Sequence, residues 1–165
     1  MSRGRSELPW TVIVEPASGP TPEVRELVDE LERSLADEYT PDQRHGLPLD
    51  RLFEPHVTFF VARVEGVAVG CGGVACFATF AEVKRMYVRD RARGRGVARA
   101  MLARIETIVR ERELDLLRLE TGARQLAAIR LYERAGFQAC AAFGDYAEMT
   151  PEAIELSRFY EKRLT

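Results

Sequence analysis

Lysine is nearly absent from this chain. Only Lys84 and Lys162 occur among 165 residues, against 22 arginines. Histidine is limited to His45 and His56, and cysteine to Cys71, Cys76 and Cys140. Three cysteines give no disulfide framework, and no Cys or His pair stands at zinc-ligand spacing. No bound metal is therefore expected, and the thiols fit a reducing cytoplasm. No apolar run approaches the ~20 residues of a membrane-spanning helix. The opening MSRGRSELPW lacks the apolar core of a signal peptide. Nor is there an excess of one charge. The 24 basic and 26 acidic residues leave a formal charge of −2, which argues against a nucleic-acid coat or a membrane-surface protein.

What is present reads as one mixed α/β domain over residues 10–165, behind a loose tail at 1–9. Trp10 to Val14 is a first strand, broken by Pro16. Thr21 caps a helix with Pro22 at its first position, and Val24, Leu27, Val28, Leu31 and Leu35 carry its apolar face to about Tyr39. A short helix is expected near Leu49 to Phe53. Two β-branched runs, Val57 to Val64 and Val67 to Phe77, meet at Glu65-Gly66 as a hairpin. Gly70, Gly72 and Gly73 inside the second run suggest a bulge or a close backbone approach. Val83 to Val88 is the next strand. A helix from Gly96 to about Arg112, a strand Leu114 to Glu120, a helix Gln125 to Arg134 and strands near Phe137 to Ala141 and Leu156 to Lys162 complete the order. The expected fold is a twisted mixed sheet of six to seven strands flanked by about four helices.

The most informative stretch runs from Met86 to Ala98. An apolar strand ends at Val88, a basic turn carrying Gly94 and Gly96 follows, and a helix starts at once. Such a turn aims backbone N–H groups at one point with a helix N-terminus behind them, which suits a diphosphate. No Gly-Lys-Ser/Thr follows, so this is not a Walker loop, and Arg99 stands where a dinucleotide fingerprint needs a small residue. The plainer alternative is a surface turn rich in arginine. Six arginines (85, 89, 91, 93, 95 and 99) cluster here, as a cofactor's phosphates would require.

Arg91-x-x-Gly94-x-Gly96 resembles the Arg/Gln-x-x-Gly-x-Gly/Ala signature of the GNAT superfamily of acetyl-CoA-dependent N-acetyltransferases. Glu82 to Val88 resembles the strand before that signature. Gln125-x-x-Ala128-x-x-Leu131-Tyr132-x-x-x-Gly136-Phe137 is similar to the family's second signature, with Gln125 where Asn is usual. The resemblance spans residues 57–164. It implies that the backbone of Met86, Tyr87 and Val88 pairs with the pantetheine arm between two splayed strands. It also implies that Arg91, Arg93, Gly94, Arg95, Gly96, Val97 and Ala98 surround the pyrophosphate, through backbone amides from Arg93 to Ala98. Gln125 would reach the pantetheine, and Ala128 and Leu131 would pack on the cofactor.

The chemistry has two proton problems. A lysine-like amine with pKa ~10.4 must lose a proton before attack, and the leaving thiolate gains from a donor. Tyr132 matches the family's general acid; otherwise it is a packed aromatic. Glu82 and Glu120 compete as the base. Against that stand an exposed strand-start charge for Glu82 and an ion pair with Arg118 or Lys84 for Glu120. The cysteines read as core rather than nucleophiles, since the family's transfer is direct. The acceptor pocket is expected from residues 39–53 and 143–155, with Glu38, Arg85 and Tyr146 as substrate contacts. The acids Asp37, Glu38, Asp145, Glu148, Glu152 and Glu155 favour a cationic amine, while Arg44, His45 and Arg85 favour a carboxylate on the same molecule. The expected partner is a small-molecule, amino-acid or peptide amine, with no nucleic acid and no membrane; a homodimer is left open. The rivals are a non-catalytic CoA-binding regulatory domain, a transferase of another acyl group, and a nucleic-acid module.

Overall fold

The computed structural model describes residues 10–165, so the expectation of a loose tail at 1–9 lies outside the described residues. A single seven-stranded sheet runs in the order β1-β2-β3-β4-β5-β7-β6. Its elements are β1 (Val12–Pro16), α1 (Pro22–Ala36), β2 (Val57–Val64), β3 (Val67–Cys76), β4 (Ala81–Val88), α2 (Val97–Glu111), β5 (Leu116–Gly122), α3 (Leu126–Arg134), β6 (Gln138–Ala139), α4 (Pro151–Glu155) and β7 (Ser157–Arg163). All neighbouring strands are antiparallel except β4 and β5.

Strands β2 and β3 are buried on both faces, which explains their unbroken apolar runs. Phe59 and Val61 of β2 pack with Val24, Leu27 and Val28 of α1. Phe60 packs on the other side with Leu102, Ile105 and Val109 of α2. Thr21 caps α1 as expected, its Oγ1 accepting the Val24 N–H at 3.3 Å. Glu65 and Gly66 both take positive φ, 50° and 79°, the geometry of a tight hairpin turn that follows strand twist.

The expected first strand shifts by two residues. Pro16 does not break β1 but ends it, paired opposite Phe60 on the edge of the sheet, where a missing N–H costs no ladder bond. Helix α1 stops at Ala36, short of Tyr39. Tyr39 is buried for a different reason: its hydroxyl accepts the Arg124 N–H at 2.9 Å beyond the helix end. Helix α4 was not expected. Thr150-Pro151 starts it as Thr21-Pro22 starts α1, with Thr150 Oγ1 accepting the Ala153 N–H at 3.2 Å.

Two features of β4 shape the site. The first is a bulge. Cys71 pairs with Tyr87 and Gly73 with Lys84, so Gly72 faces both Arg85 and Met86. Arg85 absorbs the extra residue at φ 54°. Before the bulge, Ala81 and Val83 join the core under α2; after it, Met86 does, and Tyr87 turns to the α1 side. The glycines of β3 permit this, since a Cβ on Gly70 would lie 2.7 Å from the Tyr87 carbonyl oxygen. The second feature is a split. β4 pairs with β5 only at Ala81↔Leu117 and Glu82↔Arg118, while β5 continues along β7 to Gly122.

Candidate active site

The split opens a cleft of about 150 Å³ that is continuous with solvent. Glu82, Val83, Lys84, Arg85 and Met86 line it from β4, Glu120 to Gly122 from β5, and Gln125, Ala128 and Tyr132 from the start and middle of α3. Residues 43–46 and Tyr146 close the remaining side.

Glu82 is only 5% exposed, so the reading of an exposed strand-start charge is overturned. It sits in a closed triangle. Lys84 Nζ lies 2.9 Å from its Oε1, the Tyr146 hydroxyl donates to the same oxygen at 2.7 Å, and Lys84 also donates to the Tyr146 oxygen at 3.1 Å. Burial and the Glu82 charge push the Tyr146 phenol well above its ordinary range.

Glu120 is differently placed. Neither Arg118 nor Lys84 pairs with it directly: Arg118 goes to Glu161 and Lys84 to Glu82. Its Oε1 instead accepts the Ser157 hydroxyl at 2.7 Å. Burial raises its pKa above the usual carboxylate value, against the lowering effect of Ser157, His45 and Lys84. Tyr132 is buried with its ring edge-on to Phe137. Its hydroxyl makes no hydrogen bond with the described residues, and burial plus the Glu120 charge keep it protonated far into the alkaline range.

The loop beyond β4 fits an anion. Gly94 and Gly96 adopt φ 75° and 82°, with nothing within 4 Å of where a Cβ would stand. The backbone therefore demands glycine there, and the surface in front of it is open. No side chain caps α2 and its first turn holds no acid. The N–H groups of Gly94, Gly96, Val97, Ala98 and Arg99 have no backbone partner among the described residues, but that of Arg93 is spent on the Asp90 carbonyl at 3.3 Å. The expected amide set thus loses Arg93.

The arginine cluster also divides. Arg89 is an anchor to α1, with Nε 2.8 Å from Glu30 and Nη1 3.0 Å from the Ala68 carbonyl. Arg85 pairs with Glu32 and donates to the Leu47 carbonyl at 2.9 Å. The Arg95 guanidinium lies 4.8 Å from the Trp10 ring centre. Only the Arg91 and Arg99 side chains make no hydrogen bond or ion pair with the described residues. The cofactor's phosphates therefore do not account for the whole cluster.

Other expectations shift too. Glu38 is exposed at the rim, its Oε2 accepting Gln125 Nε2 at 3.2 Å, outside the cleft lining. Leu131, on α3, is half-buried against the core and does not line the cleft. Asp145, Glu148, Glu152 and Glu155 are all exposed and none lines the cleft, so they are solvated surface charges. Cys71 is core, its thiol pushed up to about 12 by burial, but Cys76 and Cys140 are only half-buried. No group of three His, Cys, Asp or Glu among the described residues is arranged to hold a metal. No described helix is long and apolar enough to cross a membrane.

Residues 23–137 match the model of the acetyltransferase (GNAT) family. The chain belongs to that family. It is an acetyl-CoA-dependent N-acetyltransferase, and the strand split and the amide-lined loop fit that cofactor. An IAA acetyltransferase of Azospirillum brasilense is 41% identical over 143 residues, covering 86% of this chain and 90% of its own. An uncharacterized N-acetyltransferase of Bacillus subtilis, YsnE, is 34% identical over 139 residues, covering 82% and 91%. Among solved structures, a putative acyl-CoA N-acyltransferase from Klebsiella pneumoniae superposes with a TM-score of 0.78 at 34% identity, covering 93% of this chain and 98% of the other.

Ser157 escaped the sequence reading. Its position depends on the antiparallel register that sets Ser157 opposite Gly122 and Phe159 opposite Glu120, and no local pattern encodes that.

Proposed function

We propose that this GNAT acetyltransferase moves the acetyl group of acetyl-CoA to the primary amine of a small molecule, amino acid or peptide by direct attack in a ternary complex, in the cytoplasm. One observation carries the reading. The β4–β5 split brings a desolvated carboxylate, Glu120, and a protonated phenol, Tyr132, to the same cleft. The single sheet supports treating residues 10–165 as one domain. The unpaired cysteines accord with a reducing compartment.

In this reading the open edge of β4 from Val83 to Val88 pairs with the pantetheine arm as an added strand. The amides of Gly94 and Gly96 to Arg99 hold the diphosphate, with Arg91 and Arg99 alongside. Glu120 takes the ammonium proton: burial raises its proton affinity, and it lines the cleft with no cation bound to it among the described residues, whereas Glu82 is engaged by Lys84 and Tyr146. Glu82, in its triangle with Lys84 and Tyr146, positions both on the cleft wall. The amine nitrogen bonds to the acetyl carbon, the carbon–sulfur bond breaks, and the Tyr132 hydroxyl gives its proton to the departing sulfur.

The test is release of CoA thiol with acetyl-CoA and a panel of amines, run beside thermal melts with acetyl-CoA alone. Amine-dependent release supports the reading. Acetyl-CoA stabilisation without any turnover would instead favour the regulatory binding domain.

A further inference from the structure

The cleft beyond Lys84 is organised around Glu32 of α1. Its Oε1 faces Arg85 and its Oε2 accepts Arg44 Nη1 at 2.6 Å. One carboxylate between two guanidiniums leaves one positive charge over. The neighbouring Lys84 and Glu82 pair with each other, and Glu120 in the same cleft accepts from Ser157.

Arg85 is fully committed. Besides Glu32 it holds the Leu47 carbonyl, its side chain is 7% exposed, and a Cβ on Gly46 would stand 2.2 Å from its Nη1. Arg44 is not. It donates only through Nη1, to the Glu32 carboxylate and, at 3.3 Å, to the Glu32 carbonyl. Its Nε is sealed from solvent without an acceptor, the one such side-chain atom among the described residues. Its Nη2 makes no hydrogen bond with them either. Nη2, unlike Nε, is not sealed, and Arg44 lines the cleft, so this group can donate to a carboxylate oxygen there.

We infer that the acceptor amine itself carries a carboxylate, as an amino acid does, and that Arg44 reads it through Nη2. This rests on the acetyl-transfer reading above and narrows its substrate class. It sharpens the expected acceptor, a cationic amine that also bears a carboxylate: the acids at 145, 148, 152 and 155 face solvent, while the cleft lining holds the Glu120 carboxylate and the Arg44 guanidinium.

The experiment compares amino acids with their decarboxylated amines as acceptors, for the native chain, Arg44→Gln and Arg44→Lys, reading CoA thiol release. The expected result is a preference of roughly tenfold or more in kcat/KM for the amino acids, expressed through KM. Arg44→Gln should erase it, and Arg44→Lys should restore part of it. Acetyl-CoA should raise the melting temperature of all three proteins alike, which also shows that they fold. The inference is overturned if the decarboxylated amines serve equally well, if the preference survives Arg44→Gln, if no amino acid is acetylated, or if Arg44→Gln loses the acetyl-CoA shift. Failure of acetyl-CoA to stabilise the native chain would strike the acetyl-transfer reading itself and is read separately.

Discussion

The Ser157 hydroxyl donates a 2.7 Å hydrogen bond to Glu120 from the neighbouring strand. It is the main local force lowering a pKa that burial raises. The base is active only when ionised, so the acidic limb of kcat/KM should lie above the ordinary carboxylate range. Ser157→Ala removes the lowering contact, and the limb should move to higher pH. A limb that stays in place would dissociate Ser157 from the base. Glu120→Gln should lower kcat about 10²-fold or more.

The same raised pKa has a consequence for stability. A carboxyl whose folded pKa exceeds its unfolded pKa contributes stability below the unfolded value and loses it as pH rises through the folded one. The native chain should therefore shed this contribution from about pH 4.5 upward. Glu120→Gln carries no buried charge, so its melting temperature should depend less on pH across that window. Parallel melts from pH 4 to 8, as rough limits, compare the two proteins.

Tyr132→Phe removes one oxygen from a buried ring that packs on Phe137. No described group loses a hydrogen bond, so stability should hold within ~0.5 kcal/mol. Loss of a general acid should cost ~10²-fold or more in kcat, with the acetyl-CoA shift retained. Because the phenol stays protonated far into the alkaline range, no alkaline loss of activity should trace to it.

Elements with a local signal were legible in the chain. Thr21-Pro22 announced α1, Glu65-Gly66 its hairpin, and the two spaced motifs located the loop and α3. What escaped is set by register and by distant partners. Glu120 reads as a strand charge until β7 brings Ser157 to it. Arg85 and Arg89 read as phosphate ligands because they are near the loop in sequence. Placed on the α1 side of β4, they instead meet Glu32 and Glu30. The acids at 145 and 148 share a turn with Tyr146, and those at 152 and 155 sit on α4, yet only Tyr146 turns inward, drawn by Phe143, Phe159 and Glu82.

Gly94→Glu tests the anion site directly. Open space surrounds the position, so the side chain would stand where the diphosphate belongs. At φ 75° a non-glycine residue adds ~1 kcal/mol of strain to the free protein. Ligand at ~100 times its Kd stabilises a native state by about 2.7 kcal/mol. The native chain should show the corresponding melting shift with acetyl-CoA and the variant none. Gly94→Ala carries the strain without the charge and should keep part of the shift.

Arg89 separates anchoring from phosphate binding. Its guanidinium joins Glu30 and the Ala68 carbonyl, with Glu26 at 3.3 Å, so it ties α1 to the β3–β4 end of the sheet. Arg89→Ala leaves a largely buried carboxylate and a carbonyl short of a donor, which should cost roughly 1–3 kcal/mol in denaturant unfolding. The acetyl-CoA affinity of the folded variant should stay within about threefold, because nothing in the loop depends on that side chain. If affinity fell tenfold or more while stability held, Arg89 would be a phosphate ligand after all, and the division of the arginine cluster would have to be redrawn.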